Sequence, residues 1–262
     1  SDRLQLESDL RRAVERNELS IVYQPIVQLS DMTVAGFEAL LRWEHPRRGS
    51  IPPVEFIPLA EGCNIIGQLG QFAMSQAAAQ LSLWQKTTGN STVFMSVNLS
   101  SRQILRRDLV QEVRNILANS QVAKGTFKLE LTESAVMENP EQAVFILDKI
   151  RSMGIGLSLD DFGTGHSSLA YLSRFPFDLL KIDKTFLHDE SPKKFVLLKS
   201  MINMAHELGL KVVVEGIETD RDALQLRQLH CEFAQSYLFG EPMSAENALR
   251  LLREQNTAAV RA

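Results

Sequence analysis

Eight short apolar runs constrain the fold of this chain most strongly, because seven of them carry a polar residue at or near the C-terminal end. The runs lie at 20–29, 33–42, 92–98, 126–132, 155–160, 178–182, 211–215 and 232–236. The polar residues are Glu38, Asn98, Glu130, Asp160 with Asp161, Lys181, Glu215 and Gln235. Because burying unpaired charge is costly, so many polar strand ends indicate a common use. We therefore predict an α/β fold, a (β/α)8 barrel, whose chemistry lies at the mouth formed by its strand ends.

The segments between these runs show the spacing of helices and turns. Apolar residues at helical spacing predict helices at 65–84, 107–118, 140–153, 193–208, 220–229 and 245–253. This alternation of strand and helix indicates a parallel sheet with crossover helices. The first two strands are joined by the turn-like pair Ser30-Asp31, which predicts one antiparallel hairpin.

Several boundary residues support these helices. Asn139-Pro140 and Ser191-Pro192 each place a capping residue before a proline that suits the first helical position. Gly154 and Gly209 lie where a helix must end before the next strand, the usual place for a left-handed glycine.

Bulk composition limits the class of protein. The net charge of −4 and pI near 5.8 argue against a nucleic-acid polymer as partner. Without a long apolar span or a signal-like N-terminus, we expect a cytoplasmic domain, although the parent protein could be membrane-anchored. Cys63 and Cys231 have no metal-type spacing and are expected to be reduced thiols. Residues 1–19 contain an amphipathic segment and are predicted to be an N-terminal helix or linker remnant that packs on or leads into one domain at 20–262.

Strand alternation predicts which polar groups share a face. It places Glu38 and Arg42 together, where Arg42 could bind phosphate through its planar fork or simply pair with Glu38. Asn98 could be an oxygen ligand or a helix cap. Glu130 lies within a strand that otherwise reads as core, and pairing with Lys128 is the alternative to a functional role.

The most informative stretch is 158–168, where Asp160 and Asp161 end an apolar strand and run into a glycine-rich loop. Adjacent carboxylates repel each other unless protons or cations intervene, and magnesium and manganese prefer such oxygen ligands. The alternative is that Asp161 caps a following helix and Asp160 is exposed. The strand-terminal position of the pair favours a site for two divalent cations.

Lys181 and Glu215 complete the polar mouth. Lys181 follows Leu179-Leu180 and could orient a water or neutralise a phosphate oxygen, or be a solvated lysine at a strand end. Glu215 follows three valines, where a barrel mouth or a metal would tolerate a carboxylate. An aldolase-like use of Lys181 as a Schiff-base amine is a further alternative, but five carboxylates fit that chemistry badly.

Several motifs in order resemble the EAL family of cyclic-di-GMP phosphodiesterases. They are EALLRW at 38–43, NLS at 98–100, ELTES at 130–134, DDFGTGHSSLAYL at 160–172, KID at 181–183, VVVEGIET at 212–219 and QSY at 235–237. The resemblance extends from Tyr23 to Pro242 and implies a modified (β/α)8 TIM barrel with one antiparallel strand. Ser236 stands where the family usually has glycine, and Glu241 where it usually has a basic residue. These two departures concern substrate affinity more than metal binding.

The resemblance also implies roles for individual residues. The implied metal ligands are Glu38, Asn98, Glu130 and Asp160, with Asp161 at a second metal. The implied catalytic residues are Glu215, Lys181 and Glu38, of which Lys181 and Glu215 would hold or deprotonate the attacking water. The implied substrate contacts are Gln24, Leu40, Arg42, Asp183, Gln235 and Pro242. The implied residues that couple substrate and dimer contacts to the second metal are Glu133, Phe162, Gly163, Thr164, Gly165 and Ser167.

A function follows from the same resemblance. Family members use two divalent cations, Mg2+ or Mn2+, to hydrolyse cyclic-di-GMP to linear pGpG. The resemblance further implies a homodimer and an upstream sensory or GGDEF-type domain in the full-length parent. The alternative is a catalytically weak or silent cyclic-di-GMP receptor, which would keep the barrel but lose metal ligands.

Overall fold

The computed structural model describes residues 2–164, 169–188 and 193–261. The strands are β1 (Leu19–Gln28), β2 (Val34–His45), β3 (Gly49–Ile51), β4 (Phe94–Asn98), β5 (Phe127–Thr132), β6 (Gly156–Phe162), β7 (Leu179–Ile182), β8 (Lys211–Glu215) and β9 (Phe233–Gln235). The helices are α1 (Asp2–Ala13), α2 (Pro53–Gly62), α3 (Ile66–Thr88), α4 (Ser101–Ile104), α5 (Leu109–Asn119), α6 (Glu133–Met137), α7 (Pro140–Ser152), α8 (Leu169–Leu172), α9 (Thr185–His188), α10 (Lys194–Glu207), α11 (Asp220–Gln228) and α12 (Ala245–Arg261).

Eight of the strands close into a barrel. From β2 through β4, β5, β6, β7 and β8 to β9, neighbouring strands run parallel. Strand β1 is antiparallel to both β2 and β9 and closes the ring. The short β3 extends the sheet from β2. The prediction of a modified (β/α)8 barrel with one antiparallel strand is therefore confirmed.

All eight predicted strands are present, with ends that differ by up to three residues. The six helices predicted after the first two strands are also present. The additional short elements β3, α2, α4, α6, α8 and α9 were not predicted. Helix α2 begins beside Pro52 and Pro53 and contains Pro58, so its sequence resembles a loop.

The N-terminal helix predicted within residues 1–19 ends before the end of that segment. Helix α1 ends at Ala13, and Asn17 takes a left-handed conformation with φ of 55°. The amide of Glu18 donates to the carbonyl of Ala13, which closes the turn and directs the chain into β1. The apolar face of α1 packs through Leu6 and Leu10 in a core that includes Trp43.

The predicted helix boundaries are borne out where the structure describes them. Asn139 caps α7 by accepting a hydrogen bond from the amide of Gln142, with Pro140 in the first turn. Gly154 and Gly209 are left-handed, with φ of 89° and 76°. The predicted start at Ser191-Pro192 lies outside the described residues.

An apolar layer fills the barrel below its polar mouth. It consists of Ile26, Phe94, Leu179, Val213 and Phe233, and the rings of Phe94 and Phe233 meet edge to face with centroids 5.6 Å apart. Gly36 makes this layer possible, because a Cβ at that position would lie 2.6 Å from the ring of Phe94. The polar mouth therefore lies directly above an apolar layer, and the low dielectric constant of such a layer strengthens electrostatic interactions between the polar groups.

Two further observations concern the whole chain. Among the described helices, none combines the length and apolar character needed to cross a membrane. Cys63 is half-buried, Cys231 is buried, and both are free thiols.

Candidate active site

A bulge in β6 brings two adjacent carboxylates to the barrel mouth. The pairing of β6 with β7 shifts between Leu159 and Phe162, and Asp161 is left-handed with φ of 54°. Simple alternation would send Asp160 and Asp161 to opposite faces, but the bulge redirects the second one. The amide of Asp161 donates to Oδ1 of Asp160 at 2.8 Å. Asp160 is half-buried rather than exposed, and its carboxylate lies within 4.8 Å of those of Asp161 and Glu215, so Asp161 is part of the same site.

Lys181 lies at the centre of the mouth and is 1% exposed. Its Nζ is 2.5 Å from Glu130 Oε1, 2.9 Å from Glu215 Oε1, 3.2 Å from Glu38 Oε2 and 3.8 Å from Asp160 Oδ1. Four strands contribute these carboxylates, so the ammonium joins groups that are distant in sequence. Lys181 is not a solvated strand end.

Amide side chains bind Glu38 in addition to Lys181. Asn98 Nδ2 donates to Glu38 Oε1 at 2.7 Å, and Gln235 Nε2 donates to Glu38 Oε2 at 2.6 Å. Gln235 also donates to Gln24 Oε1 at 3.2 Å. Asn98 does not cap helix α4, because Ser100 accepts the capping hydrogen bond from the amide of Gln103. Both oxygens of Glu38 are thus oriented by donors.

The two alternative ion pairs predicted from sequence are not those observed. Lys128 Nζ binds Asp178 Oδ1 at 2.8 Å, at the opposite end of the barrel. Glu130 therefore pairs with Lys181 and not with Lys128. Arg42 donates to the carbonyl of Leu41 at 2.9 Å, while Glu38 is paired with Lys181.

Burial and mutual repulsion set the protonation of the carboxylates. Burial raises the pKa of Glu130 well above its usual range, although Lys181 opposes this effect. Burial likewise raises the pKa of Asp160, Asp161 and Glu215, and neighbouring carboxylates add to the effect. Glu38 differs, because Lys181 and the amides of Gln235 and Asn98 outweigh its burial and lower its pKa. The site therefore favours additional positive charge.

The donor set fits hard divalent cations. Carboxylate oxygens of Asp160, Asp161 and Glu215 all lie within 4.8 Å of one another, so they could hold one ion. Glu130 Oε2 is buried with no hydrogen-bond partner among the described residues. Five carboxylates and one ammonium leave four negative charges when all are ionised, which two divalent cations would balance. Oxygen donors of this kind are preferred by Mg2+ and Mn2+.

The segment after Asp161 is tied to neighbouring elements. Glu133, which is 5% exposed, accepts a hydrogen bond from the amide of Gly163 at 3.3 Å. Thr164 Oγ1 donates to the carbonyl of Asp161 at 2.7 Å, and Phe162 is buried. Gly163 is left-handed with φ of 89°, and a Cβ there would lie 2.6 Å from the ring of Phe186. Gly165 and Ser167, predicted to belong to this group, lie outside the described residues.

Two cavities lie beside the polar mouth. The first has a volume of about 440 Å3 and is lined by Leu40, Arg42 and Asn98 together with apolar residues of α3. The second has a volume of about 540 Å3 and is lined by Gln24, Glu38, Glu215, Gln235 and Ser236, among others. Both volumes fall within the range of about 300–1,000 Å3 that is typical of ligand pockets.

The last two predicted substrate contacts lie at the edge of the site. Asp183 Oδ1 accepts a hydrogen bond from the amide of Thr185 at 2.8 Å and so begins α9. Pro242 lines neither cavity, but the next residue, Met243, forms two main-chain hydrogen bonds with Tyr23, beside Gln24.

Sequence reasoning missed Lys184 and His188, which line the second cavity. Both belong to the turn and short helix after β7, and a four-residue helix leaves no periodic pattern to detect. The only available signal was their position directly after the KID motif.

The fold and the site together define a barrel protein with an acidic mouth whose oxygen donors suit divalent cations. The family model of the EAL domain matches residues 7–242, and the chain belongs to the EAL-domain family. The family resemblance seen in the sequence motifs is therefore confirmed.

Individual relatives agree with this assignment. The chain is 40% identical over 250 residues to the bifunctional diguanylate cyclase/cyclic di-GMP phosphodiesterase MucR of Pseudomonas aeruginosa. This match covers 95% of this chain and 36% of MucR. It is 41% identical over 255 residues to the cyclic di-GMP phosphodiesterase NbdA of the same organism. This match covers 95% of this chain and 32% of NbdA. The chain thus spans about a third of the length of these relatives.

Among solved structures, the MucR phosphodiesterase in complex with c-di-GMP superposes with a TM-score of 0.88 at 40% identity. The match covers 93% of this chain and 99% of the solved one. The barrel and its mouth therefore have a solved counterpart over almost their whole extent.

Proposed function

We propose that this domain hydrolyses one phosphodiester bond of cyclic-di-GMP to give linear pGpG, with two divalent cations, Mg2+ or Mn2+. The observation that carries this proposal is the convergence of four carboxylates on Lys181 at the mouth of the barrel, with the carboxylate of Asp161 beside two of them. A receptor without activity would have no need for this acidic set. The names of the MucR and NbdA relatives support the choice of substrate.

We assign the cation ligands to Glu38, Asn98, Glu130, Asp160 and Asp161. When bound there, the cations would activate the attacking water and neutralise the charge that develops on the phosphoryl oxygens. Lys181 would hold the carboxylates together and orient the water through its N–H groups, because its Nζ lies between Glu215 and Glu130.

Glu215 is our candidate for the general base. Its side chain is 23% exposed, so it lies where buried carboxylates meet the second cavity. Burial raises its pKa, which brings its basicity closer to neutral pH and suits proton transfer. It would accept the proton of the water as the water oxygen bonds to phosphorus. The bond from phosphorus to the 3′ oxygen would break, because pGpG keeps its phosphate at the 5′ end, and the leaving 3′ oxygen would take a proton from solvent to become a hydroxyl.

The two cavities would receive the two halves of the substrate on either side of the cations. Leu40 and Arg42 would contact the half in the first cavity, and Gln24 and Gln235 the half in the second. We further propose that Asp183 and Pro242 contribute to the rim of the site. Glu133 would couple the substrate site to a dimer surface through the segment after Asp161, as its contact with Gly163 suggests.

The remaining proposals concern the parent protein. We propose a cytoplasmic domain that forms a homodimer and follows an upstream sensory or GGDEF-type domain. The bifunctional MucR relative, in which the matched region is 36% of the length, supports a GGDEF-type neighbour. Residues 1–19 would then be the remnant of the junction, with α1 packed against the barrel core.

The Asp160→Asn variant tests the ligand assignment. Asparagine is the neutral isostere of protonated aspartate, so we expect the fold to be retained while hydrolysis of cyclic-di-GMP falls by about 100-fold or more. Hydrolysis is followed as pGpG formation with Mn2+, and folding by circular dichroism. The matched control is Asp220→Asn, an exposed position at the start of α11. Substantial turnover by Asp160→Asn would contradict the assignment of Asp160.

A further inference from the structure

The second cavity has a basic wall, formed by Lys184 and His188, beside its acidic residues. Its acidic side includes Glu38, Glu215 and Glu218, whereas Lys184 and His188 are its basic residues. An anionic nucleotide that entered this cavity would meet repulsion from the carboxylates and would be attracted to the basic wall.

Lys184 and His188 are presented together by one helical turn. The amide of His188 donates to the carbonyl of Lys184 at 3.1 Å, so the two residues are four apart on the same helical face. Leu187 is buried at 6% exposure, and its carbonyl accepts a hydrogen bond from Lys194 Nζ at 3.1 Å. These contacts anchor the turn from behind and leave both basic side chains exposed.

Gly216 lets this basic face approach the catalytic centre. It directly follows Glu215 and is left-handed, with φ of 74°. A Cβ at this position would lie 2.3 Å from Lys184 Cβ and 3.3 Å from His188 Nε2. The absence of a side chain at Gly216 therefore places the basic pair against the main chain that follows the candidate general base.

The pairing of His188 with Glu218 does not account for the arrangement. His188 Nε2 is 3.6 Å from Glu218 Oε1, beyond hydrogen-bond distance, and the side chains are 45% and 73% exposed. Exposed pairs of this kind contribute little to stability. Glu218 is instead a nearby negative charge, which would compete with an anionic ligand for His188.

We propose that Lys184 and His188 bind the phosphate of cyclic-di-GMP that is not cleaved. This inference rests on the proposed function, because that substrate carries two phosphodiesters and only one can occupy the cation centre. The second phosphate would lie in the second cavity, where the Lys184 ammonium and the His188 ring N–H donate to its oxygens. These residues would then select for a cyclic dinucleotide over a simple phosphodiester.

The test compares variants with opposite expected effects. His188→Ala should raise the KM for cyclic-di-GMP by about 5- to 20-fold, as expected for loss of a charge-assisted hydrogen bond, with kcat within about twofold. Glu218→Gln should lower the KM by about two- to threefold, because it removes the competing charge. His206→Ala is the matched control, since this histidine pairs with Glu232 at 2.8 Å away from both cavities. Its KM should not change.

A second substrate and a binding measurement separate the possible outcomes. With bis(p-nitrophenyl) phosphate, which has a single phosphodiester, His188→Ala and wild type should have equal kcat/KM. The inference would be overturned if His188→Ala and wild type had equal KM values for cyclic-di-GMP, or if His188→Ala and Glu218→Gln changed the KM in the same direction. Either result would leave the proposed function intact. If the wild type binds but does not hydrolyse cyclic-di-GMP, the proposed function fails, and calorimetric Kd values for the same variants decide the inference. No binding at all would overturn both.

Discussion

Replacing Lys181 with methionine tests whether one ammonium holds the acidic mouth together. The side chain is 1% exposed and is the hydrogen-bond partner of Glu130 Oε1, while the other oxygen of Glu130 has none among the described residues. Methionine has a similar length and fills the same space without the charge. Removing one partner from a buried ion pair costs about 3–5 kcal/mol, because a buried charge is left uncompensated.

This cost corresponds to a measurable change in melting temperature. An unfolding entropy of about 2.1 cal/mol/K per residue corresponds to about 0.55 kcal/mol/K for a chain of 262 residues. The expected loss therefore lowers the Tm by about 5–9 °C in EDTA at pH 7.5. The loss should shrink as the pH falls, because burial already raises the pKa of Glu130 and its protonation removes the uncompensated charge.

The assay is calorimetry of Lys181→Met and wild type, in EDTA and with millimolar Mn2+. Added Mn2+ should raise the Tm of the variant more than that of wild type, because cations replace the missing positive charge. Lys128→Met is the matched control: its Nζ binds Asp178, which keeps a second partner in Arg151, so we expect a smaller, cation-independent loss. An unchanged Tm for Lys181→Met in EDTA would refute the electrostatic role assigned to Lys181.

Two further predictions concern the loop after β6 and the thiols. Gly163→Ala should cost about 1–3 kcal/mol in urea unfolding and reduce activity, because φ is 89° and the new Cβ meets Phe186. Gly49→Ala, where φ is 71° but the space is open, should cost less; equal losses would argue against the Phe186 contact. Burial raises the pKa of Cys231, so a thiol reagent should modify half-buried Cys63 first and reach Cys231 only on unfolding. Equal rates in the folded protein would contradict this burial.

Strand positions and directions were largely predictable from the sequence, because alternation and turn residues are local properties. They placed Glu38, Asn98 and Glu130 at strand ends that share the barrel mouth, and the structure brings Glu38 into contact with Asn98. The bulge at Asp161 was not predictable in the same way. A left-handed aspartate leaves no periodic signal, although two adjacent aspartates at a strand end did indicate a site.

Contacts between distant strands could not be derived from periodicity. Lys181 approaches four carboxylates from four different strands, whereas the sequence predicted only that it faces the mouth. The basic wall formed by Lys184 and His188 was missed because α9 has a single turn. Family motifs supplied the assignment of roles, which local physical patterns alone left open.

Metal-dependent hydrolysis can be followed in a time course of cyclic-di-GMP with the purified domain, analysed for linear pGpG. We expect conversion to pGpG with Mg2+ or Mn2+, its loss in EDTA, and recovery when the cation is restored. Cyclic-di-GMP that is bound but stays intact in the presence of either cation would show that the domain is a receptor and not a phosphodiesterase.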